Sequence, residues 1–143
     1  MERDKLTGLE FLQAMMEGHI PRASISETMP MKPLEVASGY IKFSCRADKR
    51  HLNPLGGVHG GFAATVLDSV TGCAVHTLLE AGVGYGTIDL DIKMLKPIPL
   101  EKELVAEGRV IHLSKKIGVS EGTLKDSEGN LYALATATCM IYR

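Results

Sequence analysis

The spacing of apolar residues changes along the chain, and these changes divide it into elements. Thr7 to His19 carries its apolar side chains at helical spacing, with a glycine and a proline as end signals, and so predicts a helix. A polar connector, Ser24 to Lys32, comes next. Leu34 to Arg46 then alternates between apolar and polar residues, which predicts a strand with an interruption at Ser38-Gly39.

The following segment has no polar side, which sets it apart from an ordinary surface helix. From about Gly61 to Ala81, apolar and small residues fill most positions, and Gly82 and Gly84 close the segment. We expect a long helix here, enclosed by the rest of the fold. Asp68 has no cation at helical-neighbour spacing. A buried carboxylate without a partner is costly, so this pattern indicates a functional role for Asp68.

Four strand-like stretches follow the long helix. They cover Thr87 to Leu95, Glu103 to Leu113, Ile117 to Lys125 and Leu131 to Tyr142. The short turns between them favour antiparallel pairing. Strict alternation in the first stretch would place Ile88 and Leu90 on one face and Thr87 and Asp89 on the other. The element order predicts an α+β fold in which one antiparallel β-sheet wraps around a long central helix, with an extra N-terminal helix.

Composition narrows the class of protein. The 143 residues are predicted to form a single domain, 1–143, in which residues 1–30 are the N-terminal helix and connector. Sixteen basic and 17 acidic residues indicate no nucleic-acid surface. The charged start does not resemble a signal peptide, and an Asp inside the long helix would cost about 3 kcal/mol in a membrane. Three cysteines without metal-type spacing fit a reducing compartment, so a cytoplasmic protein is expected.

Candidate chemistry is concentrated where the long helix begins. A glycine-rich turn ends in His59-Gly60-Gly61, and Asp68 follows eight residues after Gly60. Backbone N–H groups at a helix start can hold a developing negative charge. A carboxylate beside that charge can activate water. The pairing indicates hydrolysis at a carbonyl.

Other interpretations of this region fit less well. The glycines match neither a dinucleotide fingerprint nor a phosphate loop. A metal triad of His51, His59 and Asp68 matches no standard spacing. Cys73 lies five residues from Asp68, which turns the two side chains about 140° apart on a helix. No catalytic dyad is therefore predicted.

Together these residues resemble the PaaI-like acyl-CoA thioesterases of the hotdog fold. The family pattern is an Asn, a Gly three residues later, a His-Gly-Gly turn and an acidic residue eight positions after its first Gly. Asn53, Gly56, His59-Gly60-Gly61 and Asp68 match it, and the element order agrees from about Met31 to Tyr142. The resemblance implies hydrolysis of an acyl-CoA thioester to the free acid and CoA.

The resemblance also implies a role for each catalytic residue. The backbone N–H of Gly60 would hold the oxyanion, and Asp68 would act as general base for water or as direct nucleophile. Asn53 and His59 would hydrogen-bond around the thioester and the catalytic water. A hydroxyl residue at the start of the strand after the helix would complete the site from the facing subunit, and Thr87 aligns with that position.

Coenzyme A is expected to bind as part of the substrate, so the resemblance implies no cofactor and no metal. Gly61 would contact the substrate, and Lys96, Lys115 and Lys116 would lie along its CoA arm. Because the site resembles one shared between subunits, at least a homodimer is expected, and related proteins are commonly homotetramers. No nucleic-acid or membrane partner is implied.

Two alternatives stay open at this stage. The fold also serves non-catalytic acyl-CoA binding or sensing domains, although the retention of Asp68 with the full motif favours hydrolysis. A hotdog hydratase or dehydratase matches less well, because those relatives carry their catalytic His in a differently spelled motif. Aromatic, short-chain and medium-chain acyl groups all fit the sequence, since a fold alone does not fix the substrate.

Overall fold

Six antiparallel strands form one sheet in the computed structural model, which describes residues 2–143. The strands are β1 (Met31–Ala37), β2 (Tyr40–Arg46), β3 (Gly84–Met94), β4 (Glu103–Leu113), β5 (Ile117–Lys125) and β6 (Leu131–Tyr142). Their order across the sheet is β1-β2-β4-β5-β6-β3, so β1 and β3 lie at the edges. The bounds of β4, β5 and β6 agree with the predicted ones.

Three α-helices accompany the sheet within residues 2–143. The first, α1 (Gly8–Met16), begins at a capping box in which the side chains of Thr7 and Glu10 each accept from the other's backbone N–H. A single turn, α2 (Ile25–Thr28), lies inside the connector, and α3 (Gly60–His76) is the long helix. No helix in this part of the chain is both long and apolar enough to cross a membrane.

The long helix α3 packs against the sheet and supplies much of the core. Seven of its apolar side chains are at most 1% exposed: Phe62, Ala63, Val66, Leu67, Val70, Ala74 and Val75. Strand β4 approaches the helix so closely that a Cβ at Gly108 would lie 2.1 Å from the carbonyl oxygen of Val70. Only glycine fits there. The predicted α+β arrangement, a sheet wrapped on a long helix, is confirmed.

The predicted strand over Leu34 to Arg46 is in fact two strands. β1 and β2 pair antiparallel as a hairpin, with Ala37 opposite Tyr40. The turn between them uses a positive φ of 73° at Gly39, a conformation that glycine adopts without strain. What the sequence pattern showed as an interruption is therefore the turn of a hairpin.

The long helix is shorter than predicted, because it ends at His76 rather than at Ala81. The hydroxyl of Thr77 donates to the carbonyl of Ala74 over 2.6 Å and accepts from the N–H of Gly39 over 2.8 Å. These two bonds tie the end of α3 to the β1–β2 turn. The residues beyond are not helical, although their apolar pattern continues.

A β-bulge in β3 overturns the predicted alternation of that strand. Thr87 pairs with Cys139 and Asp89 pairs with the next residue of β6, so Ile88 is an extra residue in the ladder. Ile88 is 55% exposed, whereas Leu90 is half-buried. Because one inserted residue reverses the facing of all that follow, Thr87 lies on the same face of the strand as Leu90 and not on the opposite one.

Candidate active site

His59 holds the start of α3 with its own side chain. It is the N-cap residue, and its Nδ1 atom accepts a hydrogen bond from the N–H of Gly61 over 2.7 Å. An accepting Nδ1 carries no proton in the neutral ring, so the proton lies on Nε2. The imidazole is exposed and therefore presents an N–H donor to its surroundings.

The N–H of Gly60 is the free backbone donor of this turn. None of the hydrogen bonds found within residues 2–143 uses it, whereas Gly61 donates to His59 and Phe62 donates to the carbonyl of His59. As the first residue of α3, Gly60 also lies at the positive end of the helix dipole. This geometry suits an anion or a developing oxyanion.

Asn53 builds the loop that precedes α3. Its side-chain oxygen accepts from the N–H of Leu55 over 2.9 Å and from the N–H of Gly57 over 3.1 Å. Its own N–H donates to the carbonyl of Gly57, and Gly56 turns the chain with a φ of 88°. Since the oxygen is used within the loop, the amide NH₂ of Asn53 is the part left to bind a ligand.

Asp68 lies about two turns after Gly60 on α3 and lines a cavity of 720 Å³. Its side chain is exposed in the single chain, so the expected burial of this carboxylate was wrong. Among the hydrogen bonds and ion pairs of residues 2–143, none involves the Asp68 carboxylate. The carboxylate is therefore free to accept a proton.

Thr87 lines the same cavity as Asp68 within one chain. The bulge at Ile88 turns its hydroxyl toward the face of β3 that meets the helix, where Oγ1 lies 3.9 Å from the Sγ atom of Cys139. Bulges often re-aim a side chain beside a functional site. Thr87 therefore borders the Asp68 cavity of its own chain, whereas the resemblance implied a residue from the facing subunit.

Gly60 and Asp68 do not line a common cavity. Eight residues of helix separate them by about 12 Å. Gly60 lies in a second cavity of 320 Å³ together with Met94 and Lys96, and neither Asp68 nor Thr87 contributes to its lining. Within one chain the N–H of Gly60 and the carboxylate of Asp68 therefore cannot act on the same carbonyl.

The predicted CoA-binding lysines lie at two ends of the sheet. Lys96 lines the Gly60 cavity. The carbonyls of Lys115 and Lys116 accept from Arg143 and Ile141 at the C-terminal end of β6, the end where β3 begins. Because β3 spans about 30 Å, Lys96 and the lysine pair do not line one path within a single chain.

Within residues 2–143, His51 and His59 form no metal-ligand cluster with Asp68, and Cys73 is not a reactive thiol. Both ring nitrogens of His51 are engaged, one accepting from the N–H of Asp48 and the other bonded to the carbonyl of Thr28. Within residues 2–143 no cluster of three or more metal-ligating side chains occurs. Cys73 lines the Asp68 cavity, but burial raises the pKa of its thiol to about 12, so it stays protonated at neutral pH.

Sequence reasoning missed the opposite wall of the Asp68 cavity. This wall comes from α1 and the connector, through side chains that include Phe11, Met15, Ile20 and Ile25. The one available signal was the apolar face of the N-terminal helix, which fits ordinary core packing equally well. Only the docking of α1 beside α3 shows that this face borders the candidate site.

Comparison with known proteins identifies the family. A family model of the thioesterase superfamily matches residues 55–133, which include the start of α3, Asp68 and Thr87. The chain belongs to the thioesterase superfamily. Membership confirms the PaaI-like hotdog resemblance and the predicted class of enzyme, a thioesterase.

Individual relatives agree with this family. A Halobacterium salinarum protein assigned to the esterases is 38% identical over 68 residues, 46% of this chain and 44% of that protein, so the chain spans less than half of that relative's length. Human acyl-coenzyme A thioesterase 13 is 25% identical over 101 residues, 70% of this chain and 71% of that protein. The structure of a Ralstonia eutropha thioesterase-like protein, described as phenylacetic acid degradation-related, has a TM-score of 0.82 and 30% identity, covering 91% of this chain and 98% of that one.

Proposed function

We propose that this protein hydrolyses acyl-CoA thioesters to the free acid and CoA at a site composed of two subunits. The observation that carries the proposal is that hydrogen-bond donors and a free acceptor lie at two different places on α3. Its N-terminal turn offers hydrogen-bond donors, since Gly60 has a free N–H and His59 and Asn53 have used their acceptor atoms. The free acceptor is the carboxylate of Asp68, two turns away.

The donors suit the thioester carbonyl. The N–H of Gly60, the Nε2–H of His59 and the NH₂ of Asn53 all hydrogen-bond to an oxygen that gains negative charge, and none can remove a proton from water. One such donor is worth about 100-fold or more in rate. A backbone N–H at a helix start adds the field of the helix dipole.

The carboxylate suits the activation of water. As general base, Asp68 takes a proton from water while the water oxygen bonds to the carbonyl carbon; the C–S bond then breaks and CoA leaves as thiolate, which takes up a proton. As nucleophile, Asp68 would instead form a mixed anhydride that water cleaves. Thr87 shares its cavity and would orient the water or the carboxylate. Single turnover in ¹⁸O-water tests for the anhydride route, because label enters the Asp68 carboxylate when water attacks the Asp68 carbonyl of the anhydride, and the general-base route cannot place it there.

Two subunits are needed because about 12 Å of helix separates Gly60 from Asp68. A two-fold dimer would bring Gly60 of one subunit to Asp68 of the other, twice per dimer. The edge strand β3 has an unpaired side and exposes Ile88 and Met94, so it can pair with its copy across the two-fold axis. The predicted tetramer would be a pair of such dimers.

The first test follows thiol release from a panel of acyl-CoAs. Asp68→Asn should lower kcat by at least about 100-fold while the protein stays folded with an unchanged oligomeric state. Glu121→Gln, which removes an exposed carboxylate on β5, is the control and should match the wild type. Acyl-CoA binding without thiol release by the wild type would favour the sensing alternative. Full activity of Asp68→Asn would remove Asp68 from the mechanism.

Subunit mixing tests whether the site is shared. Gly60→Val blocks the oxyanion donor by bulk, with Met94 as the flexible neighbour that must move. Inactive Gly60→Val and inactive Asp68→Asn, unfolded together and refolded as a mixture, should regain about a quarter of the wild-type activity, because half of the dimers are mixed and each holds one intact site of two. No recovery in verified mixed dimers would overturn the shared site.

A further inference from the structure

The Asp68 cavity is larger than a carboxylate and its water require. Its volume of 720 Å³ lies within the range of about 300–1,000 Å³ that is usual for small-molecule sites. Asp68, Ser69 and Thr87 contribute polar groups to one wall. The facing wall is mostly apolar, with Phe11, Met15, Ile20 and Ile25 among its side chains, and its polar members are Arg3, Arg22 and Ser26.

The charged residues that border the cavity do not make its interior polar. The guanidinium of Arg3 lies over the ring of Phe11, 5.0 Å from its centroid. Arg22 donates to the carbonyl of Met31 over 3.2 Å, and both arginines are exposed to solvent. His76 packs between Phe11 and Tyr85, and burial lowers its pKa, so its ring is neutral at pH 7.

The N-terminal wall is firmly docked. The N–H of Gly8, at the start of α1, donates to the carbonyl of Leu79 over 3.0 Å. A Cβ at Gly8 would lie 1.6 Å from the carbonyl oxygen of His76, so α1 contacts the end of α3 directly. Leu12 is 1% exposed and anchors the same helix in the core. The distance between the two walls is therefore fixed by the fold.

We infer that this cavity holds the acyl group of the substrate, and that α1 and the connector select an uncharged hydrocarbon acyl group. The inference deepens the proposed function and rests on it. With the thioester carbonyl beside Asp68, the acyl group extends between α3 and the N-terminal wall, while the CoA arm leaves on the open side. A terminal carboxylate would have to leave water to enter the apolar part of this wall, which is unfavourable, because the two arginines of the lining, Arg3 and Arg22, are exposed to solvent.

Buried methylene groups should then raise the specificity constant. Each CH₂ that leaves water for an apolar wall contributes about a fourfold gain, so kcat/KM should rise along acetyl-, butyryl-, hexanoyl- and octanoyl-CoA until the cavity is full. Pentanoyl-CoA should exceed glutaryl-CoA, which has the same length and a terminal carboxylate. Benzoyl- and phenylacetyl-CoA show whether the hydrocarbon preferred is straight or aromatic.

A matched pair of variants tests whether the segment between α1 and α2 makes this selection. Ala23 is exposed, lines the cavity and has a small side chain, so Ala23→Phe fills the space at little cost in stability. Ser24 is its exposed neighbour outside the lining, and Ser24→Phe is the control. Ala23→Phe should lower kcat/KM for octanoyl-CoA by about tenfold or more relative to acetyl-CoA. Ser24→Phe should leave that ratio unchanged.

The outcomes separate this inference from the proposed function. If the protein hydrolyses acyl-CoAs, three results would overturn the acyl-cavity assignment alone. They are a kcat/KM that does not rise with chain length, a preference for glutaryl-CoA over pentanoyl-CoA, and equal effects of the two Phe variants. Cleavage of no thioester at all would overturn the proposed function. Calorimetry of octanoate binding would then test whether the cavity holds an acyl group. Binding by the wild type and Ser24→Phe but not by Ala23→Phe would support this assignment, and any other result would reject it.

Discussion

The Nδ1 atom of His59 accepts the N–H of Gly61 over 2.7 Å, which gives one imidazole two separate tasks. The first is structural, since this bond caps α3. The second, in the proposed mechanism, is chemical, since the ring is exposed and its Nε2–H is left free next to the unused N–H of Gly60. The two tasks depend on different atoms and can be separated by substitution.

Serine and alanine at position 59 should affect stability differently and activity alike. Serine is a good N-cap, so His59→Ser should unfold in urea near the wild-type midpoint, whereas His59→Ala should lose about 1 kcal/mol. Neither side chain reaches the place of Nε2, so both should lower kcat/KM by about 10- to 100-fold, the effect of losing a hydrogen bond to a charged group. Full activity of His59→Ser would mean that His59 is a cap and nothing more.

Local sequence patterns were sufficient for the parts of the fold and site that depend on neighbours in the chain. The turns between β4, β5 and β6 and the spacing from Gly60 to Asp68 are of this kind. The bulge at Ile88 is not, because it depends on which residues of β6 pair with β3. The exposure of Asp68 likewise depends on how α3 lies on the sheet, and the apolar wall of the Asp68 cavity depends on where Gly8 docks.

The bulge gives Thr87 a testable role. Thr87→Val removes the hydroxyl but keeps the shape, and it should lower kcat by about 10- to 100-fold with little change in stability. Thr87→Ser keeps the hydroxyl and should stay within a fewfold of the wild type. Thr136→Val, on the exposed face of neighbouring β6, serves as the control for a β-strand Thr. Equal activities of all three variants would show that the Thr87 hydroxyl takes no part.

Asp126 should make the stability depend on pH. The side-chain amide of Asn130 leads the hydrogen bonds to this buried carboxylate, and Lys102 and Tyr132 add to them, which holds its pKa well below the usual range. A depressed pKa in the folded state stabilises above the unfolded value of about 3.9, and that stabilisation is lost as pH falls toward the folded value.

Urea unfolding between about pH 3 and 7 checks this effect. The advantage of the wild type over Asp126→Asn should be constant above about pH 5 and should shrink below about pH 4. Glu121→Gln removes an exposed carboxylate and should show no comparable pH dependence. A pH-independent difference for Asp126→Asn would mean that lost hydrogen-bond geometry, and not charge, destabilises the variant.

We expect that Gly108 of β4 cannot be replaced by another residue without a large loss of stability. An alanine Cβ would lie 2.1 Å from the carbonyl oxygen of Val70, a backbone atom that cannot rotate away. Gly108→Ala should therefore lower the free energy of unfolding by about 3 kcal/mol or more. The control is Gly84→Ala, whose Cβ would meet only the Tyr142 ring at 3.9 Å and should cost little. Similar stabilities of the two variants would contradict the close packing of β4 on α3.

Ile88 should control assembly, and through assembly the activity. It is 55% exposed at the bulge of the edge strand β3, where a lysine would oppose pairing between two copies of the strand. Ile111 is a matched control, because it is 57% exposed at a bulge of β4, which lies inside the sheet. Ile88→Lys should sediment as a folded monomer and lose hydrolysis with Gly60 and Asp68 both intact, while Ile111→Lys keeps the dimer and its activity. An active Ile88→Lys monomer would contradict the proposed roles of Gly60 and Asp68. In a monomer the two groups would have to act on one carbonyl within the same chain, and the length of α3 between them excludes this.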